Sequence, residues 1–207
     1  MTYKNLLPLT MALLMFPQLA QTLYSPALGD ISRAFDVAPE RAGQTLSVYF
    51  LAFALGVVVW GRLSDRLGRR PVMLMGLAIY VGASALALTV TTFDALLLAQ
   101  ACAAFGAAVG SVVTQTVLRD RFHGADLAQV FSVMGIALAA SPAIGLFSGA
   151  SLVEFFGYRG VLCALLLLAA VLWGWCGWAL PETSRASLPA AALGPAVGMV
   201  RKAAGIW

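Results

Sequence analysis

The chain has 207 residues, 61% of them hydrophobic and 11% charged, with a net charge of +4 and a mean hydropathy of +0.89. This apolar excess excludes an ordinary soluble domain and places the chain in a lipid bilayer. The basic residues lie in short pieces between apolar runs, which fits membrane topology and argues against a nucleic-acid partner. Cys102, Cys163 and Cys176 all sit inside apolar runs, so they read as small core residues and no disulfide framework, metal site or cofactor is expected.

Apolar stretches of about 20 residues, the length that crosses the hydrocarbon, fall at 6–28, 43–60, 71–93, 95–118, 128–152 and 160–180. The expectation is an all-α membrane protein of six transmembrane helices, with residues 1–184 forming the bundle and 185–207 a cytoplasmic tail. The first stretch follows Lys4, yet it is too long for a signal peptide and ends in Tyr24-Ser25-Pro26 without a small-residue cleavage site. It reads as a retained helix. Along it, Gln18, Gln21, Thr22 and Ser25 recur at i, i+3, i+4 and i+7 and share one face.

Between the second and third stretches lies a basic island, Gly61 to Val72, with Asp65 set between Gly61 and Gly68. The fourth stretch carries a second polar stripe, Gln100, Ser111, Thr114 and Gln115, joined along the same face by Ala104 and Ala107. Such stripes either bond neighbouring helices or line a water-filled cavity. Two stripes in register favour the cavity. None of the six stretches contains a charged residue between its ends. Gly106-x-x-x-Gly110 and Gly145-x-x-x-Gly149 are close-packing patterns. Pro142 removes a backbone donor and predicts a bend from Ala139 to Pro142. Trp60, Trp175, Trp178 and Tyr158 fall at stretch ends, where interfacial belts account for them.

Orientation follows from Lys and Arg in the connecting segments. With the N-terminus inside, Lys4, Arg62, Arg66, Arg69, Arg70, Arg119, Arg121, Arg185, Arg201 and Lys202 are cytoplasmic, against Arg33, Arg41 and Arg159 on the far side. Both termini are therefore expected in the cytoplasm of a cell with this protein in its inner membrane.

Gly61-Arg62-Leu63-Ser64-Asp65-Arg66-Leu67-Gly68-Arg69-Arg70 resembles the loop between helices two and three of major facilitator superfamily transporters, G-x-L-x-D-R-x-G-R-R/K. Leu23-Tyr24-Ser25-Pro26-Ala27-Leu28, Val117-Leu118-Arg119-Asp120, Ser141-Pro142-Ala143-Ile144-Gly145, Gly157-Tyr158-Arg159 and Leu180-Pro181-Glu182-Thr183 are similar to the Bcr/CflA-type drug-resistance branch. The resemblance implies one half of a 3+3 repeat fold, its tail starting a linker to a second six-helix half. It also implies efflux of small amphipathic molecules, with protons as the coupling ion. It makes Gly61, Asp65, Arg66, Gly68, Arg69 and Arg70 a cytoplasmic gating loop, with Arg119 and Asp120 as a charge relay. Pro142 and Gly145 become the bend of helix five. Two positions depart from the branch: Thr22 stands where an Asp is usual and Gln100 where an Arg is usual.

A second possibility is a truncated, non-transporting membrane protein that binds a partner through its small-residue faces. The placing of Asp65 between Gly61 and Gly68 is not something a scaffold requires. An intramembrane enzyme needs a nucleophile with a base, or a metal cluster, and the sole histidine, His123, reads as a solvated residue after the fourth stretch.

Overall fold

The computed structural model describes residues 3–180; the side chains of residues 3–6, Lys4 among them, and the expected tail with Arg185, Arg201 and Lys202 lie outside it. All described elements are helical: α1 Tyr3–Tyr24, a 3-10 turn Ser25–Ala27, α2 Leu28–Ala34, α3 Pro39–Leu67, α4 Arg69–Thr89, α5 Phe93–Arg121 and α6 Gly124–Ala179. Helices α3, α4, α5 and α6 are each long and apolar enough to cross a membrane. Gly157, at φ 63 and ψ −169, divides α6 into arms 124–156 and 158–179.

The ends of these helices follow from local chemistry. Pro26 has no amide hydrogen, and α1 gives way there to the 3-10 turn Ser25–Ala27 before α2 resumes. Pro39 opens α3 and Glu40 occupies its first turn, where a carboxylate complements the helix dipole. The Thr92 hydroxyl accepts from Ala95 N at 3.4 Å to cap α5. Arg119 and Arg121 stand in the last turn of α5, the favourable end for cations.

Helix α5 is the axis of the bundle. A Cβ placed on Gly56 would lie 2.8 Å from the Phe105 carbonyl oxygen, one on Gly106 would lie 2.6 Å from Gly76 O, and one on Gly110 would lie 2.6 Å from Leu13 O. Helices α3, α4 and α1 thus meet α5 backbone to backbone, which small residues alone permit. Pro17 leaves Leu13 O without its usual i+4 donor, and this is the carbonyl that lies against Gly110. The first arm of α6 clasps α1 in the same manner, with Gly149 against Leu23 O and Gly145 against the Thr22 side chain. The second arm holds α4 through Trp173 Nε1, which donates to Leu74 O at 3.1 Å.

Helical dihedrals run through Pro142, and the non-helical residue inside α6 is Gly157. Two expectations need correction. Trp60 is no interfacial anchor. It is 2% exposed and donates Nε1–H to Phe105 O at 2.7 Å, joining α3 to α5. Of the three cysteines only Cys176 is buried, while Cys102 and Cys163 are exposed on the bundle surface, because each lies on a helix side without a neighbour.

Candidate functional site

At one end of the bundle the basic island folds as two helix ends around a single glycine. Helix α3 continues through Leu67, so Gly61 to Leu67 form its last two turns, and α4 begins at Arg69. Gly68 alone joins them, at φ 101 and ψ 160, a conformation open essentially to glycine. Gly61 is helical, and an added Cβ would only touch Val112 Cγ1 at 3.7 Å. Of the two glycines that flank Asp65, Gly68 has the positive φ that turns the chain and Gly61 does not. Gly68→Ala is expected to destabilise the protein by about 1–3 kcal/mol, checked by thermal unfolding in detergent against Gly61→Ala.

The sharp turn brings Arg69 back over the end of α3. Its Nη1 donates to Asp65 Oδ1 at 2.6 Å and to Ser64 Oγ at 3.1 Å, while Nε donates to Asp120 Oδ2 at 3.3 Å. The guanidinium side chain is 10% exposed, against 69% for Asp65 and 28% for Asp120. One buried cation is thus shared by two carboxylates from α3 and α5, and the forked geometry of Arg suits that task better than the point charge of Lys. Ser64 in turn donates to Gly61 O at 2.9 Å, which fixes the acceptor that Arg69 uses.

Arg70 points the other way and donates Nη2–H to Gly177 O at 2.5 Å. Gly177 lies in the last turn of α6, where carbonyls lack helical partners and a cation complements the dipole. Arg66 is exposed on the outer face of α3. Arg119 stands outside the cluster, its guanidinium carbon 5.9 Å from the centre of the Phe131 ring. Of Arg119 and Asp120, it is Asp120 that meets Arg69.

The polar stripes divide among four environments. Gln18 and Gln21 line a cleft of about 90 Å³ with Pro17, Tyr49, Phe50 and Phe53. Thr22 turns toward α6, its hydroxyl donating to Gln18 O at 2.9 Å, and Ser25 is half-buried in the 3-10 turn. Gln100 is buried beside the Tyr24 hydroxyl, with Thr45 on the other side. Tyr24 Oη lies close to both and completes no hydrogen bond; Thr114 Oγ1 is likewise buried without one. Gln115 Nε2 donates to Ser111 Oγ at 3.5 Å along the surface of α5.

Ser64, Tyr24, Thr45 and Tyr49 are contributors that the sequence reading passed over. A signal existed for α3: Thr45, Tyr49 and Phe53 recur at i, i+4 and i+8 opposite the polar face of α1.

A family model described as Major Facilitator Superfamily matches residues 10–207. The chain belongs to that superfamily. Its relatives include multidrug resistance protein D of Escherichia coli, 31% identical over 89% of this chain and 47% of that protein. A chloramphenicol resistance protein of Pseudomonas aeruginosa is 35% identical over 80% of this chain and 40% of its own length. Among solved structures, the human organic anion transporter TETRAN superposes with a TM-score of 0.67 at 25% identity, over 87% of this chain and 48% of that one. The chain thus spans about half the length of these relatives or less. Its all-helical bundle corresponds to one half of a major facilitator fold. In this superfamily member the island at Gly61–Arg70 is the α3–α4 junction just described.

Proposed function

We propose that the chain forms the N-terminal half of a secondary transporter that exports small amphipathic molecules by alternating access, and that the α3–α4 junction is half of its inner gate. The Arg69 cluster is the observation that carries this reading. It holds Asp65 at the end of α3, 69% exposed, where its free carboxylate oxygen is available to a helix N-terminus of a second half. Relatives named for multidrug and chloramphenicol resistance support the substrate class.

The junction end gathers Arg62, Arg66, Arg69, Arg70, Arg119 and Arg121, and the opposite connections hold Arg33, Arg41 and Arg159. By the positive-inside rule the junction is cytoplasmic, as are both termini, in the inner membrane. Protons are the coupling ion that the drug-efflux branch suggests. Neither Thr22 nor Gln100 ionises, so neither can carry that proton.

The test is efflux of ethidium from cells expressing the intact gene product. Wild type is expected to keep dye accumulation below the empty-vector level, and Asp65→Asn to restore it. Equal accumulation in wild type and vector controls would remove the transporter reading, and an unchanged Asp65→Asn would remove the gate.

A further inference from the structure

We infer that Arg70 is a positioning residue that fastens the end of α6 to the gate junction, so that a rearrangement of the Arg69 cluster reaches the point where the chain leaves the bundle for residues 181–207. The inference rests on the gate reading for its purpose, but the contacts that carry it do not depend on transport.

Helix α4 opens with two arginines and no acid in its first turn, although the N-terminal turn of a helix is the unfavourable end for cations. Each is answered by a different neighbour. Consecutive helical residues point about 100° apart, so Arg69 turns to Asp65 on α3 and Asp120 on α5 while Arg70 turns to Gly177 O on α6. One turn of α4 is thereby tied to three other helices.

The acceptor that Arg70 takes is a carbonyl that the sequence deprives of its own donor. In a continuing helix Gly177 O would accept from the amide of residue 181, and residue 181 is proline, which has no amide hydrogen. The carbonyl just before it, Cys176 O, still receives Leu180 N at 3.0 Å. Gly177 O is therefore the carbonyl that Pro181 orphans, and the Arg70 guanidinium stands in for the missing amide at 2.5 Å.

A second bond runs the opposite way one turn deeper. Trp173, four residues before Gly177, donates to Leu74 O, four residues after Arg70, at 3.1 Å. Between these two rungs Leu74 packs over Gly177, its Cδ2 3.8 Å from the position of an added Cβ, and Cys176, Ala179 and Leu180 are buried. The outer rung is the one that seats the last turn of α6, and with it the exit of the chain at Leu180. Whatever displaces the first turn of α4, where Arg69 and Arg70 are neighbours, pulls on that rung.

The experiment follows Cys176, fully buried near the end of α6, in the full chain carrying Cys102→Ala and Cys163→Ala and held in lipid nanodiscs. Its rate of reaction with N-ethylmaleimide measures how often that turn opens. Arg70 is exposed, so Arg70→Met leaves the core packing intact, and it is expected to raise the rate about threefold to tenfold, the range of one net hydrogen bond. Arg70→Lys should stay near wild type, since one ammonium group serves one carbonyl. Pro181→Ala returns an amide hydrogen to residue 181, and in that background Arg70→Met should change the rate little. Asp65→Asn, which loosens Arg69, should also raise the rate and should add nothing once Arg70→Met is present. Thermal unfolding of each variant separates local opening from a lost fold. An unchanged rate in Arg70→Met, an undiminished effect of Arg70→Met in the Pro181→Ala background, or equal effects of Asp65→Asn with and without Arg70 would overturn the inference. Vector-level dye accumulation together with the expected labelling pattern removes the transporter reading and leaves the clasp; dye efflux with Cys176 indifferent to Arg70→Met removes the clasp and leaves the transporter.

Discussion

Gly106→Val is expected to destabilise the bundle by about 3 kcal/mol or more, the upper end of what overpacking produces. A Cβ at this position would meet Gly76 O at 2.6 Å and Tyr80 N at 2.8 Å. Both are backbone atoms of α4, so no rotamer change relieves the clash and the two helices must separate. Separation in turn pulls Val109 away from Gly76, where an added Cβ would already lie 2.5 Å from Val109 Cγ1. Gly82→Val, in the same helix as Gly76 but with no atom within 4 Å of its added Cβ, should stay within about 0.5 kcal/mol of wild type. Thermal unfolding in detergent decides it: matching midpoints for the two variants would show that α4 and α5 do not meet as described.

Arg69→Met is expected to lower stability by about 2 kcal/mol and to abolish dye efflux. Removing one partner of a buried ion pair commonly costs about 3–5 kcal/mol, but Asp65 and Asp120 retain water contact, which reduces the penalty. Arg69→Lys should recover only part of the loss. Nε and Nη1 of Arg69 reach Asp120 and Asp65 separately, and a single ammonium group cannot replace that fork. Adding Asp65→Asn to Arg69→Met should change stability far less than it does in wild type, since the pair is already broken. Full efflux by Arg69→Lys, or additive stability losses in the double variant, would separate the cluster from the gate.

The helices were legible because a membrane span demands a long apolar run, and runs such as 71–93 leave no other solution. Their ends were less so. Nothing in hydropathy marks how far a polar helix end projects beyond the lipid, so α3 extends to Leu67 where the reading ended a span at residue 60. Gly68 was recognisable as the turn because its conformation suits glycine alone. Gly61 looked equivalent in sequence and is not, since spacing carries no information on φ.

The break at Gly157 falls in the gap between the stretches read at 128–152 and 160–180. A helix can lose one amide donor and continue, whereas a residue at φ 63 cannot be helical. Within the candidate site, polar stripes announced themselves by period, yet their partners did not. Trp60 reaching Phe105 and Gln100 lying by Tyr24 and Thr45 are consequences of helix rotation, which amphipathic contrast normally fixes. In a bundle apolar on every side that contrast is nearly absent. The pairing of Arg69 with Asp120, 51 residues away, came from family resemblance, and no local rule would have supplied it.

The glycine contacts of α5 bear on how this half moves. Side chains interposed between helices act as bearings: they change rotamer and let one helix slide on another. At Gly56, Gly106 and Gly110 little is interposed: backbone oxygens would lie 2.6–2.8 Å from the added Cβ, with only Ala108 Cβ at 2.8 Å and Pro17 Cγ at 3.6 Å beside them. Sliding there means main chain grinding over main chain, with no slack to take up the displacement. Sliding of α1, α3 or α4 along α5 is therefore costly at those three contacts, whereas Arg69 and Arg70 reach their partners through long side chains at one end of the bundle.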